Sequence, residues 1–430
     1  MTGPGASLVR SDATAIPLGD NTVDLIVTSP PYFALRSYQD GGEHYGGQIG
    51  SEDTPTAFLE ALWAVTAECW RVLKPTGSLF VNLGDKYAGT GAGGTAKPHT
   101  GTIAFAGQAK NAASRPPARG TATTDVRAKS LMGLPWRYAI GCIDGQADPD
   151  GRGWVLRSEI IWSKSNGLPE SVTDRVRRSH EQWFHLTREG RYYSNVDEVR
   201  EAHEGPLHAP GDKKVNNDRN DNDRADRVFG HPLGKLPGSV VPIDDVPWLP
   251  GDVAATLTNP DDSATVWTVP TQPLIVPDWL DVDHFAAFPT EWPRRLILGW
   301  SPPGICVECG EGRRAVVAKE RLGDCTERRT SDRGAPGGAQ GNNRNAATYE
   351  VTGTACACDK PTAPTTPAVV LDPFSGTGTV AGVARALGRY GVGCDLSADY
   401  MRLARWRIWQ SGMGAKVESR TNGERQGVLL

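Results

Sequence analysis

Residues 369–395 constrain this chain more than any other stretch. Val369-Val370-Leu371 is a short, β-branched apolar run of the kind that forms a buried strand. A turn follows, Asp372-Pro373-Phe374-Ser375-Gly376-Thr377-Gly378-Thr379, then an apolar helix from Val380 to Leu387 and a second strand from Tyr390 to Cys394. Asp395 closes that strand, 17 positions beyond Gly378. Gly376 and Gly378 allow a ligand close to the backbone. An acidic residue about 20 positions past such a turn is where nucleotide-binding βαβ units hold a ribose hydroxyl. No lysine follows the glycines, so the turn is not a phosphate-cradling P-loop.

A second strand exit carries different chemistry. Val23-Asp24-Leu25-Ile26-Val27 reads as a buried strand and runs into Thr28-Ser29-Pro30-Pro31-Tyr32. In open α/β sheets that edge is where ligands bind. Pro30 and Pro31 fix φ and lack a backbone N–H, so they present carbonyl acceptors on a stiff turn. Ser29 adds a hydroxyl that donates or accepts, and Tyr32 adds a flat ring. Acceptors beside a stacking platform suit an exocyclic amine on a planar base.

The two stretches together resemble the DNA amino-methyltransferases. That family carries a (D/N/S)-P-P-(Y/F/W) catalytic motif, here Ser29-Pro30-Pro31-Tyr32, and an F-x-G-x-G cofactor motif, here Phe374 to Gly378. The catalytic motif comes first, as in the permuted β group. The resemblance implies a Rossmann-like α/β methyltransferase sheet, circularly permuted, with loop-rich insertions. It implies S-adenosylmethionine as cofactor, held by Asp12, Phe288, Thr290, Asp372, Phe374, Gly376, Gly378, Thr379 and Asp395. It also implies a base flipped out of double-stranded DNA, stacked on Tyr32 and held through Ser29 and the Pro30 carbonyl, with direct transfer of methyl to its amine. Serine at the first motif position is similar to the cytosine-N4 subgroup; adenine N6 is the alternative target. A non-catalytic DNA-binding module that kept the fold is the other class of explanation, and the intact catalytic motif argues against it. Carbon-5 methylation of cytosine needs a Pro-Cys nucleophile, and none of the eight cysteines follows a proline.

Composition fits this reading. The 430 residues include 50 glycines and 32 prolines against 38 % hydrophobic residues, which predicts a normal core with long irregular insertions. Net charge is −4, so DNA contact must come from a local basic face. No apolar run is long enough for a membrane span and the N-terminus lacks a signal pattern, so the expected location is the cytoplasm. A partner restriction endonuclease is compatible with the resemblance.

Along the chain, residues 1–199 form the expected catalytic half. Phe58 to Leu73 has helical apolar spacing, Lys74 to Gly77 breaks it, and Ser78 to Leu83 is the next strand. Residues 86–130 are Gly, Ala and Thr rich with scattered Lys and Arg, a basic loop suited to phosphates. A strand from Trp154 to Trp162 leads into a family-like segment, which makes Lys164, Arg175, Arg177 and Arg178 phosphate-contact candidates. Residues 200–265 read as a linker or target-recognition insertion, and 266–410 as the cofactor-binding half, with a helix from Pro293 to Trp300. Within it, Cys306-x-x-Cys309 and Cys356-x-Cys358 frame the insertion 304–360 and predict a structural zinc with four thiolates. Residues 411–430 read as a disordered tail.

Overall fold

A computed structural model describes residues 3–34, 39–40, 43–44, 47–89, 126–164, 173–176, 178–200, 236, 267–268, 276, 278–280, 289–321, 347–356, 358, 360 and 362–419. Its strands are β1 (Gly5–Arg10), β2 (Val23–Thr28), β3 (Gln39–Asp40), β4 (Glu43–His44), β5 (Leu73–Leu83), β6 (Val155–Ser163), β7 (His180–Thr187), β8 (Trp267–Thr268), β9 (Ile305–Cys306), β10 (Arg314–Arg321), β11 (Ala347–Ala355), β12 (Thr365–Thr366), β13 (Val369–Asp372) and β14 (Tyr390–Asp395). Its helices are α1 (Pro55–Val72), α2 (Leu134–Ile143), α3 (Glu291–Trp300), α4 (Thr379–Ala386) and α5 (Ala398–Trp409). None of the described helices is long and apolar enough to cross a membrane.

Eight strands form one sheet in the order β1-β14-β13-β2-β5-β7-β6-β8. The run from β1 to β5 is parallel throughout, and β7 is antiparallel to both β5 and β6. The central strands are apolar on both faces because helices cover both. In β2, Leu25 and Val27 face a core built with α3 and α4, while Ile26 faces the core of α1 and α2. Phe80 of β5 joins the first of these cores; Leu79, Val81 and Leu83 join the second. This is why the strands read as continuous apolar runs rather than alternating ones.

The chain enters the sheet in swapped order. β13, α4 and β14 come last in sequence, yet β14 pairs with β1 at the start of the chain. From β13 the chain steps toward β14, and from β2 it steps the other way, toward β5. The strand order therefore reverses between β13 and β2, whose carboxyl ends lie side by side and open a crevice. This is a circularly permuted, Rossmann-like α/β sheet.

Local signals fix the ends. Thr54 caps α1 by accepting from Ala57 N at 3.1 Å, with Pro55 opening the helix. Buried Asp24 binds Lys74 Nζ at 2.6 Å and accepts from Val369 N at 2.8 Å, tying β2 to both neighbours.

Three expectations need correction. β5 starts at Leu73, so the Lys74-Pro75-Thr76-Gly77 segment lies within the strand. β1 and α2 had no counterpart in the sequence reading: β1 is a half-buried edge strand, and α2 is short with Gly141 inside it. The chain also does not become disordered at Ser411. Residues 413–419 are helical, and Met413 and Val417 are buried against α4, where the side chain of Met413 fills the space over Gly382. Most of the 86–130 and 200–265 segments lies outside the described residues, although Ala88 and Ser130 are joined by a backbone hydrogen bond that closes the first.

Candidate active site

The strand-order reversal brings the two sequence motifs together. An open cleft lies at the ends of β2, β13 and β14, lined by Asp12, Ser29, Pro31, Phe374, Gly376 and Asp395 from the predicted set. Ile49, Leu396 and Tyr400 add apolar and aromatic wall, and Gln48 and Thr377 add polar groups. Carboxylates, hydroxyls and flat apolar walls in one concave site fit a ligand with a sugar and a planar ring.

Beneath the cleft, Asp372 joins the two motifs. Its Oδ1 accepts from the Thr28 hydroxyl at 2.8 Å and from Phe374 N at 3.0 Å. The carboxyl is 1 % exposed, and burial pushes its pKa up to about 7, with Asp395 adding in the same direction. Asp395 in turn receives Gly376 N on Oδ2 at 2.8 Å and Ser397 N on Oδ1 at 2.9 Å. It therefore fastens the glycine turn to the end of β14 while keeping acceptor capacity on the cleft side. Asp12 holds its own turn, accepting from Thr14 N and Oγ1 at 2.8 Å each.

The two glycines have different reasons to be there. Gly376, at φ +48°, opens on the cleft, and a Cβ on it would touch nothing closer than 3.9 Å. Gly378, at φ +74°, faces α5 instead; a Cβ there would lie 2.8 Å from Ala404 Cβ. Of the two, Gly376 is the one that lines the cleft. At Gly378 the demand is helix packing.

On the β2 side, a polar network arranges Ser29 and Tyr32. The Tyr32 hydroxyl lies 2.9 Å from Glu181 Oε2 and 2.8 Å from Asn82 Oδ1, and it has one proton to give. Glu181 is ion-paired with Lys164, and a charged carboxylate is the stronger acceptor. Ser29 Oγ donates to Asn82 Oδ1 at 3.3 Å, and Asn82 Nδ2 donates to the Gln182 carbonyl at 3.1 Å. With its proton committed to Asn82, Ser29 presents lone pairs to the cleft and acts as an acceptor. Gly84 lies flat under the Tyr32 ring, where a Cβ would be 2.7 Å from Cε2. Sequence reasoning assigned no role to Asn82 or Glu181. The signal for Asn82 was present, as an amide inside the apolar run Ser78 to Leu83.

The remaining predicted residues are dispersed. Thr379 opens α4 and is buried, and Thr290 precedes α3 without capping it through its side chain. Pro30 borders a small apolar cavity beneath the cleft. Lys164 is turned inward onto Glu181, and Arg178 lies 3.4 Å from Asp85, whose carboxylate receives Gly133 N and Leu134 N at the start of α2. Both are engaged in ion pairs within the protein. Arg175 sits 3.7 Å over the Tyr87 ring. Phe288 and Arg177 lie outside the described residues. The four cysteines 306, 309, 356 and 358 do converge, with all Sγ atoms within 4.8 Å of one another.

With this geometry in hand, comparison with known proteins identifies the family. The family model described as DNA methylase matches residues 23–320 and 365–405, and the chain belongs to that family. It is 30 % identical over 311 residues to the Type II methyltransferase M.SmaI of Serratia marcescens, covering 72 % of this chain and 80 % of that one. It is 40 % identical over 199 residues to the Type II methyltransferase M.Cfr9I of Citrobacter freundii, covering 46 % of this chain and 59 % of the relative's length. Among solved structures, PvuII DNA methyltransferase (cytosine-N4-specific) aligns with a TM-score of 0.48 at 12 % identity, over 99 % of this chain and 94 % of its own.

The raised pKa of Asp372 gives stability a specific pH dependence. A carboxyl that holds its proton more tightly folded than unfolded contributes stability at low pH and loses it as pH rises from about 4 to about 7. Asp372→Asn mimics the protonated form. Urea denaturation should therefore find the variant gaining on the wild type across that interval, by on the order of a kcal/mol or more at pH 8. A difference independent of pH would show that Asp372 titrates normally.

Proposed function

We propose that this chain is a site-specific DNA methyltransferase that moves the methyl group of S-adenosylmethionine to the exocyclic amine of a flipped base, cytosine N4. The observation that carries the proposal is the orientation of Ser29. Its hydroxyl donates to Asn82, so its lone pairs face the cleft that also holds the glycine turn. A base amine needs an acceptor of this kind, one that draws its hydrogens aside and aims its lone pair at the methyl group. The Pro30 carbonyl is the second acceptor.

The cleft fits the cofactor by its donor set. Asp395 and Asp12 offer carboxylate acceptors for ribose and adenine, Ile49 and Leu396 offer flat apolar walls, and open Gly376 lets the ligand approach the backbone. Bound S-adenosylmethionine supplies an electrophilic methyl on a sulfonium. Everything else is positioning by the protein, and such alignment accounts for much of the acceleration in a displacement of this type. Tyr32, held by Glu181 and Gly84, supplies the stacking face for the base. The base must leave the duplex, because its amine is inaccessible within the stack. Membership of the DNA methylase family and likeness to Type II methyltransferases support DNA as substrate and a partner restriction endonuclease. Arg175, which lies over the Tyr87 ring, is a candidate for a phosphate contact.

The four cysteines belong to the same proposal as a structural zinc site. Cys306 and Cys358 Sγ lie 3.9 Å apart and Cys356 and Cys358 Sγ 3.2 Å apart, against the roughly 3.8 Å edge of a tetrahedron with zinc–sulfur bonds of about 2.3 Å. Gly310, at φ +71°, turns the chain so that its amide donates to the Cys306 carbonyl at 2.9 Å. The metal would clasp the base of the β10–β11 hairpin to the β9–β12 ladder.

Two experiments test these readings. DNA from cells expressing the protein, in a host without amino-methylation, is digested to nucleosides and analysed by mass spectrometry against authentic standards. N4-methylcytosine is expected, with turnover cut by Ser29→Ala far more than substrate binding. N6-methyladenine alone would overturn the choice of base, and no methylated base would overturn the activity. For the metal, elemental analysis of protein made with zinc available should find about one zinc per chain, lost in Cys306→Ser. Zinc-free wild-type protein would contradict the site.

A further inference from the structure

Arg407 of α5 is buried beneath the glycine turn, 6 % exposed. Its NH1 donates to Thr377 Oγ1 at 2.6 Å and to Thr379 Oγ1 at 2.5 Å. Among the described residues no carboxylate pairs with it. The other buried guanidinium groups among the described residues are offset by charge or by carbonyls: Arg294 binds Glu291, and Arg389 donates to two backbone oxygens. Burial alone pushes the Arg407 pKa down to about 10, with no acid opposing it. A buried charge without a counter-ion is costly, and folds do not retain one without an offsetting interaction.

The two hydroxyls show where that interaction lies. Each oxygen accepts from Arg407, so each hydroxyl proton points away from it. The two threonine oxygens are 3.5 Å apart, so one proton can serve that contact and at least one is left over. Thr377 lines the cleft. Thr379 begins α4, whose N-terminus has no side-chain cap, and an uncapped helix start favours negative charge. A hydroxyl that accepts from a cation is polarised and becomes a better donor.

We infer that Arg407 is a positioning residue for the carboxylate of the cofactor's amino-acid end: acting through the Thr377 and Thr379 hydroxyls, it supplies the positive charge that this carboxylate meets at the glycine turn. The inference rests on the reading of the cleft as an S-adenosylmethionine site. It adds a source of selectivity for that site. The adenosine end is read by Asp395 and Asp12, and the far end by a cation that never touches the ligand. The carboxylate supplies the negative charge that no described side chain brings to Arg407.

The test compares two ligands that differ in that one group. Calorimetry without DNA measures binding of S-adenosylmethionine and of its decarboxylated form, which keeps the sulfonium and the amine. The wild type should prefer the carboxylated ligand by about tenfold to a hundredfold. Arg407→Met should erase that preference by weakening S-adenosylmethionine alone, and Arg407→Lys should restore part of it. Thr377→Val, which keeps shape and removes the hydroxyl, should reduce the preference in the same way and serves if Arg407→Met does not fold. Equal weakening of both ligands by these variants would show a merely structural arginine and overturn the inference. A wild type that binds neither ligand would overturn the cofactor reading itself.

Discussion

A single buried carboxyl holds the two halves of the site in register. Asp372 ends β13, accepts the hydroxyl of Thr28 at the end of β2, and accepts the amide of Phe374 in the glycine turn. One oxygen thus fixes the distance between the strand that leads to Ser29 and the turn that leads to Gly376. These segments are more than 340 residues apart in sequence and adjacent only because β2 and β13 pair in parallel. The crevice follows from topology, since the chain leaves the two strands in opposite directions. Its dimensions follow from that carboxyl.

From this point the protein builds two opposite local chemistries. On the β13 side, backbone amides and a buried guanidinium gather positive charge around the glycine turn, and Asp395 accepts from Gly376 N at its rim. On the β2 side, the Lys164–Glu181 pair and Asn82 gather acceptors and direct each hydroxyl proton inward. Ser29 is left as an acceptor facing the turn. The carboxylate of a methyl donor and the hydrogens of a nucleophilic amine would meet surroundings of these two kinds, set a short distance apart. Among the described residues that line the cleft there is no cysteine, lysine or histidine.

Much of this was legible in the sequence because it is written in contiguous patterns. Strands such as Val23–Thr28 and Val369–Asp372 are mostly apolar with buried carboxyls at Asp24 and Asp372, as strands covered on both faces tend to be near-continuously apolar. The motifs Ser29 to Tyr32 and Phe374 to Gly378 are short, and their chemistry is local. What escaped depends on distant partners. Asn82 matters through Ser29, 53 positions away, and Arg407 through Thr377, 30 positions away. Gly378 looks in sequence like a ligand-facing glycine, and only the position of Ala404 shows that helix packing requires it. The segment 413–419 carries too few apolar residues for periodicity to reveal it, yet Met413 and Val417 both find the core. Lys164 and Arg178 look like free cations until Glu181 and Asp85 are placed beside them.

The central claim is that one cleft serves both motifs, with the methyl donor held by the glycine turn and presented to Ser29. A crystal structure with S-adenosylhomocysteine bound tests it most directly. The account predicts the nucleoside between Asp12 and Asp395, with the sulfur facing the Ser29 hydroxyl across the cleft. A ligand seated elsewhere, or one whose sulfur points away from Ser29, would contradict it.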